Sequence, residues 1–494
     1  MSNAARATGK KPCPSALIAV MAHALLVVLA LETLVAIPAL SWELFLPERE
    51  SLSLYVGVIV ALFLLSILFV LRDRIGKVVA AFSAWPAKPS VNTRLWVIWM
   101  LGLLLRLVWV IVFPVTPASD SATYLSLAHK LIAGQEFQVA GLWAYWPPGY
   151  ALVLSLWLRL PLQEPVAIAT LNLVLYSLTL FAGYRLAERF AGRVVGVVAA
   201  LLIALWPSML MTCGVASKEL FVIALLTLAV LLFTVPDTGP RTWLTRTGSG
   251  LCFGAVVLTQ PSLMLFPVAL LAYEIIEKQG WRRVIVHLLP FVIGAAIVVG
   301  PWTLRNEQHF GRLVLISTNG GENFYRANNP LATGGYTTRG EIDLENLDEL
   351  EASRLGYKYG IEWIVANPSS FLRLSFWKQV LFLGDDSYGA YETLRRNSNQ
   401  TTNTYILLKG LSNLFWLGVW TMLLYCIVRI SPPVFWTPGM LLCLMALFYL
   451  WGVHSVFESS SKYHLPVLPF LAILISNGVT MINKCVKEKG GLSS

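Results

Sequence analysis

The chain has 494 residues, of which 56% are hydrophobic and only 13% charged. A soluble domain of this size cannot hide so much apolar surface, so the composition excludes an ordinary globular enzyme and indicates a multi-pass membrane protein. The net charge of +10 is not a nucleic-acid signal, because Lys and Arg fall in short clusters between apolar runs, where they set orientation.

The apolar runs, in chain order, are Ala16 to Leu40, Ser51 to Leu71, Leu95 to Pro114, Val166 to Ala187, Val194 to Met211 and Lys218 to Val235. Then come Thr247 to Thr259, Ser262 to Ile276, Val284 to Trp302, Tyr405 to Val428, Val434 to Trp451 and Tyr463 to Asn483. The first is longer than a signal-peptide core and lacks a clear small-residue cleavage site, so it is read as a retained span. Two runs fall short of the ~20 residues a perpendicular helix needs. They flank Gln260-Pro261 and predict a tight hairpin.

The basic clusters are Lys10/Lys11, Arg72/Arg74/Lys77, Arg185/Arg189/Arg193, Arg241/Arg246, Lys278/Arg282/Arg283, Arg429 and Lys484/Lys487/Lys489. Placing all of them in the cytoplasm puts both termini inside, with roughly twelve crossings. Gly149 to Leu160 then must not cross. It is short, follows two prolines, and reads as a juxtamembrane or half-inserted helix. The expected fold is therefore an all-α polytopic membrane protein with about 12 transmembrane helices, a juxtamembrane helix and a small periplasmic helical cap. Four segments are expected: two leading helices (1–93), a core with the first outer loop (94–302), a periplasmic segment (303–404) and the last helices (405–494). The cysteines are scattered, with no CxxC pair, disulfide framework or zinc site.

Four stretches then face outside: Thr116 to Pro148, Thr212 to Glu219, Thr303 to Thr404 and His454 to His464. Within the third, Asn367-Pro368 breaks two helical patterns, Leu344 to Ala366 and Ser370 to Leu383. These stretches hold the candidate chemistry. Asp120 follows a span and opens a helix, where it serves either as a general base or as an N-cap. Glu219 enters an apolar run, and ionisable groups at membrane depth are functional by default. Lys462 and Tyr463 open the last span, where an ammonium can hold a phosphate or merely snorkel. Arg305 breaks the cytoplasmic pattern of basic residues and so points to an anion. In the spans, Arg106 is expected to pair with a carboxylate, Glu32 being one partner. No nucleotide-binding motif is present, so an activated substrate must come from the membrane.

The order of several weak motifs resembles the membrane-embedded glycosyltransferases of the GT-C fold, in the bacterial group similar to protein mannosyltransferases and to the aminoarabinose transferase of lipid A. The resemblance runs from about Arg94 to Asn483. It is carried by Arg106, Asp120 with Tyr124, Pro147-Pro148-Gly149-Tyr150, Trp206-Pro207-Ser208 leading to Ser217-Lys218-Glu219, Pro301-Trp302 to Arg305-Asn306, Asn328-Asn329-Pro330, and Lys462-Tyr463-His464-Leu465-Pro466. Asp120-Ser121 stands where the family often has Asp-Glu.

The resemblance implies inverting transfer of a sugar from a polyprenyl-phosphate donor to a glycan, lipid or protein acceptor, at the outer face of the inner membrane. Asp120 and Glu219 are then the catalytic carboxylates, and Lys462, Arg305 and Tyr463 hold the donor phosphate. Tyr124, Tyr150, His464, Asn306 and Glu458 line the substrate. Membrane lipids are partners and nucleic acid is not. No cofactor or metal ligand is assigned, and a divalent ion beside Asp120 stays open. The competing readings are a repeat-unit polymerase and a transporter. The first would rely on outer-loop arginines, and the second would show two related halves with paired broken helices.

Overall fold

The computed structural model describes residues 14–43, 50–84, 91–236, 240–277, 280–338, 340–344, 346–395 and 402–490. Lys10, Lys11 and Lys278 lie outside these residues. Among the described residues, twenty α-helices follow in order. The first ten are α1 (Ala16–Glu43), α2 (Glu50–Ala84), α3 (Val91–Val112), α4 (Asp120–Ile132), α5 (Gly149–Trp157), α6 (Glu164–Ala191), α7 (Arg193–Leu205), α8 (Pro207–Met211), α9 (Lys218–Phe233) and α10 (Pro240–Val257). The rest are α11 (Pro267–Ile276), α12 (Trp281–Phe310), α13 (Gly320–Ala327), α14 (Glu349–Ala366), α15 (Pro368–Leu383), α16 (Tyr388–Ala390), α17 (Thr402–Arg429), α18 (Pro432–Phe435), α19 (Pro438–Val456) and α20 (Leu468–Gly490). Among the described residues no strand forms.

The protein is a polytopic helical membrane protein. Among the described residues, eight helices are long and apolar enough to cross a bilayer, and a ninth arises if Arg193–Leu205 and Pro207–Gly214, bent by 49°, form one span. All twelve runs named above are helical, but Lys218–Phe233, Pro240–Val257 and Pro261–Ile276 are not among the eight. Gly149–Trp157 has 9 residues, about 13 Å of helix, well short of a bilayer core. The expected hairpin at Gln260-Pro261 is instead a 3₁₀ turn, Pro261–Leu263, between two helices of unequal length.

Helix ends follow local chemistry. Pro165 stands in the first turn of α6, where a missing N–H costs nothing. Gly192, at φ 97°, ends that helix in a conformation that L side chains avoid and lets α7 start at once. Asp348 caps α14 by accepting from the Leu350 and Glu351 amides, both at 3.1 Å.

The core gathers around α20. Its span, Leu465–Asn483, is 89% buried, against 11% for Leu54–Arg72 at the rim. Helix α20 packs on α2, α7, α17 and α19. The tightest pair is α10 with α12, where small residues let two backbones meet. A Cβ on Gly250 would lie 2.0 Å from the Phe291 carbonyl oxygen. Gly250→Ala is therefore expected to destabilise the bundle by about 1–3 kcal/mol, read as a lowered unfolding midpoint in detergent. An unchanged midpoint would show that the two helices can part freely.

Arg106 is 1% exposed and has a different partner from the one expected. Pro207 has no N–H, so the Ile203 carbonyl at the end of α7 loses its helical donor, and the bend at Trp206 frees Ala204 as well. Arg106 donates to Ala204 at 2.8 Å, Ile203 at 3.4 Å and Gly102 at 3.0 Å. Its guanidinium lies 3.7 Å from the centre of the Tyr176 ring. The expected carboxylate is thus replaced by broken-helix carbonyls, and Glu32 lies beside the Trp451 indole instead.

Candidate active site

The first turns of α4 and α9 meet α16 at one end of the bundle, and the turn after α19 reaches them through Lys462. A small, partly open cleft lies there, lined by Asp120, Ser121, Tyr124, Ser217, Lys218, Glu219, Tyr388 and Glu392 among others.

Asp120 is the first residue of α4, but it does not cap that helix. The N-cap is Ser119, and no side-chain cap bond forms. Ser119 sits at φ 51°, a strained conformation for a residue with a Cβ. Ser121 Oγ holds the turn by accepting from the Ala118 amide at 2.9 Å and donating to its carbonyl at 2.8 Å. The backbone therefore presents the Asp120 carboxylate to the cleft. Its Oδ2 lies 3.5 Å from Lys462 Nζ. Burial alone lowers the Lys462 ammonium, but Asp120, then Glu219 and Glu458, outweigh it, so its net shift is upward.

Glu219, 5% exposed, stands in the first turn of α9, where the helix dipole favours a carboxylate. It accepts from Ser217 Oγ and, at 3.4 Å, from the Tyr388 hydroxyl. Tyr124, Tyr150 and Tyr388 surround this pair. Burial first, and then the nearby carboxylates, raise all three hydroxyls above the usual tyrosine range. They stay protonated, as donors rather than bases. Tyr124 packs edge-on against Tyr150 at 5.3 Å and Trp146 at 5.9 Å. Tyr150 of the Pro147-Pro148-Gly149-Tyr150 motif thereby packs behind Tyr124, which lines the cleft.

Sequence reasoning missed Asp386, Tyr388 and Glu392. Helix α15 packs on α1 and α19, so the chain after it enters the bundle rather than lying over it. Asp386 is fully buried and accepts from Trp206 Nε1 at 2.8 Å and Ser208 Oγ at 2.6 Å. Its Oδ1 is 3.1 Å from His464 Nε2. His464 Nδ1 faces the Phe382 carbonyl at 2.6 Å and so carries a proton. This network ties Trp206-Pro207-Ser208 to Lys462-Tyr463-His464 and carries Tyr388 into the cleft. The only available signal was a pair of carboxylates and a tyrosine directly after an apolar helix.

Of the expected residues, Asp120, Tyr124 and Glu219 line the cleft, Lys462 meets it through Asp120, and Tyr150, Arg305, Asn306, Glu458, Tyr463 and His464 stand outside that lining. His464 lies behind it, 1% exposed and held as described. Arg305 donates to the Trp143 carbonyl at 2.8 Å and the Phe137 carbonyl at 3.1 Å, beside the Trp302 ring. Asn306 is buried and donates to Val314 and Ile316 at 3.1 and 3.2 Å. Arg305 and Asn306 hold loops in place, and Glu349 helps them by accepting from the Trp143 and Ala144 amides and from Thr318 Oγ1. Glu349→Ala should unpin the 137–148 loop and cost about 1–3 kcal/mol, since buried donors lose their acceptor. Faster amide exchange confined to that loop is the expected readout, and unchanged exchange counts against the role.

Tyr463 and Glu458 are joined to each other, the tyrosine hydroxyl donating to Glu458 Oε1. Among the described residues, no group of three or more His, Cys, Asp or Glu side chains is placed to hold a metal ion.

Residues 146–303 match the family model for dolichyl-phosphate-mannose-protein mannosyltransferase, inside the stretch that carried the resemblance drawn from sequence. Among solved structures, the chain is similar to the archaeal oligosaccharyltransferase AglB from Archaeoglobus fulgidus, solved with an inhibitory peptide and a dolichol-phosphate. The TM-score is 0.48 at 14% identity, covering 83% of this chain and 52% of that one. It is also similar to ArnT from Cupriavidus metallidurans bound to undecaprenyl phosphate, with a TM-score of 0.38 at 14% identity, covering 80% and 76%. The chain spans about half the length of the oligosaccharyltransferase. No curated protein matches it by sequence.

Proposed function

We propose that the chain is a membrane glycosyltransferase that moves a sugar from a polyprenyl-phosphate donor to an acceptor. The acceptor is a lipid-linked glycan, a lipopolysaccharide or a protein. The observation that carries this reading is the Asp120–Lys462 pair at 3.5 Å. One side chain can take a proton and the other can hold a phosphate; Asp120 lines a cleft at one end of the bundle and Lys462 stands beside it. Lys has three donors, so one ammonium can serve the carboxylate and a phosphate together.

In the proposed step, the acceptor oxygen attacks the anomeric carbon from the side opposite the phosphate and loses its proton to Asp120. The bond from the anomeric carbon to the phosphate oxygen breaks with inversion, and the departing phosphate takes the electron pair. Lys462 stabilises that charge. Glu219 is the second carboxylate of the site and orients the Tyr388 hydroxyl. The family match over 146–303 supports a lipid-linked donor.

The cleft is assigned to the outer face of the inner membrane. Helix α6 starts beside α4, where Glu164 meets His129 at 2.7 Å. It ends at Arg185, Arg189 and Arg193, the basic cluster assigned to the cytoplasm. Labelling a single cysteine at position 120 with an impermeant reagent should succeed on intact cells; labelling only after lysis would reverse the orientation. For the activity, purified protein is given defined polyprenyl-phosphate sugars and candidate acceptors, with mass spectrometry of the products. Release of free polyprenyl phosphate together with a glycosylated acceptor is expected. No transfer from any lipid donor, with the protein folded, would overturn the proposal.

A further inference from the structure

The turn that carries Lys462 has a second polar group behind it, away from the cleft lining. Three buried side-chain atoms there make no hydrogen bond: His454 Nε2, Glu458 Oε2 and Ser459 Oγ. The residues are 2%, 8% and 1% exposed. They belong to one contiguous cluster. His454 Nδ1 lies 2.6 Å from the Glu458 carbonyl oxygen. Tyr463 stacks on the His454 ring at 4.1 Å and donates to the other oxygen of Glu458. The Ser459 amide donates to the Gly334 carbonyl at 2.9 Å.

The polarity of this cluster defines what it lacks. Because Nδ1 faces a carbonyl, it holds the ring proton, and Nε2 of the neutral ring is a lone-pair acceptor. Glu458 Oε2 is a second acceptor, and Ser459 Oγ either donates or accepts. Buried acceptors without donors are costly, and native proteins rarely keep several side by side. Lys378 Nζ donates to Asn328 Oδ1 at 3.0 Å and the Val456 carbonyl at 2.8 Å and makes no hydrogen bond to any of the three atoms. A single His and a single Glu do not make a metal site, and no such site is found among the described residues. Adjacent hydroxyl groups on one ring supply the missing donors, and the stacked His454 and Tyr463 rings offer such a ring a flat neighbour.

Position supplies the link to the reaction. Lys462 Nζ lies 5.1 Å from the centre of the Tyr463 ring, which stacks on His454 and whose hydroxyl donates to Glu458, and Lys462 pairs with Asp120. A sugar carried on a phosphate held by Lys462 thus has its hydroxyls one side chain away from this cluster. We propose that His454, Glu458 and Ser459 form the subsite that reads the hydroxyl groups of the donor sugar. The inference rests on the reading of the chain as a lipid-sugar transferase.

Binding of two kinds of lipid to the purified full chain separates the two claims. The probes are bare polyprenyl phosphate and the polyprenyl phosphates of mannose, glucose and galactose, with deoxy analogues of whichever binds best. The intact protein is expected to prefer one sugar-bearing lipid over the bare lipid by about tenfold. Ser459→Ala and His454→Asn, neither of which changes the charge beside Lys462, should erase that preference while leaving bare-lipid affinity unchanged. The variants should also lose nothing further on the deoxy analogue that lacks the hydroxyl being read, because the partner is already gone. If the preference exists but no transfer occurs, the transferase reading falls and the subsite stands. If no sugar-bearing lipid binds better than the bare one, the subsite is overturned. It is equally overturned if both variants keep the preference, or weaken all lipids alike, since the cluster then only holds buried water.

Discussion

Asp120→Asn is expected to lose most transfer while folding normally. An amide cannot accept the proton that the acceptor gives up, and losing a positioned base typically costs ~10²–10⁴-fold. Stability should barely change. Asp120 is not the cap of α4, and its pair with Lys462 is 44% exposed on the Asp side, a setting in which an ion pair is worth about 0–1 kcal/mol. The measurement is single-turnover transfer from a defined polyprenyl-phosphate sugar, with an unfolding midpoint taken on the same sample. Near-normal transfer by the folded variant would remove Asp120 as the base. Glu219 would then be the carboxylate to test, through Glu219→Gln, because it faces the same cleft.

Much of this site was legible because its parts are local. Asp120 and Lys462 each stand where a span meets a loop, and hydropathy alone marks such places. Their 3.5 Å meeting across 342 residues was not legible, and only the order of the surrounding motifs hinted at it. Tyr388 was missed for a physical reason. Gly384-Asp385-Asp386-Ser387 reads as an exposed turn, yet Asp386 is satisfied by Trp206, Ser208 and His464, which no short-range pattern reveals. Arg305 and Arg106 show the opposite error. Both were assigned anionic partners because a guanidinium in an apolar setting invites one. Both instead bind backbone carbonyls, at the 137–143 loop and at the broken end of α7. The break itself was visible in Trp206-Pro207. The orphan carbonyls that a proline creates are therefore a better guide to a buried arginine's partner than the nearest acidic residue.

Under the proposed function, Lys462 rather than Arg305 is the cation for the donor phosphate. Lys462→Ala is expected to weaken binding of a non-transferable polyprenyl-phosphate analogue by one to two decades, since a charge-assisted contact contributes roughly 1.5–3 kcal/mol. Arg305→Ala should leave that affinity unchanged, because its guanidinium is engaged by the Trp143 and Phe137 carbonyls. Asp120→Asn should keep the affinity or improve it, because a competing negative charge beside the ammonium is removed. The pH dependence has a definite sign. The Lys462 ammonium is shifted upward, burial opposing and Asp120, Glu219 and Glu458 prevailing. Its charge is therefore fully present below the ordinary lysine value of about 10.4 and is lost only as pH rises through the higher bound value. Analogue affinity should stay flat from neutral pH to about 9.5 on this account. A fall in that range, or an unchanged affinity in Lys462→Ala, would take the phosphate away from Lys462. The proposed transfer would then lack the cation that must receive the leaving group's charge.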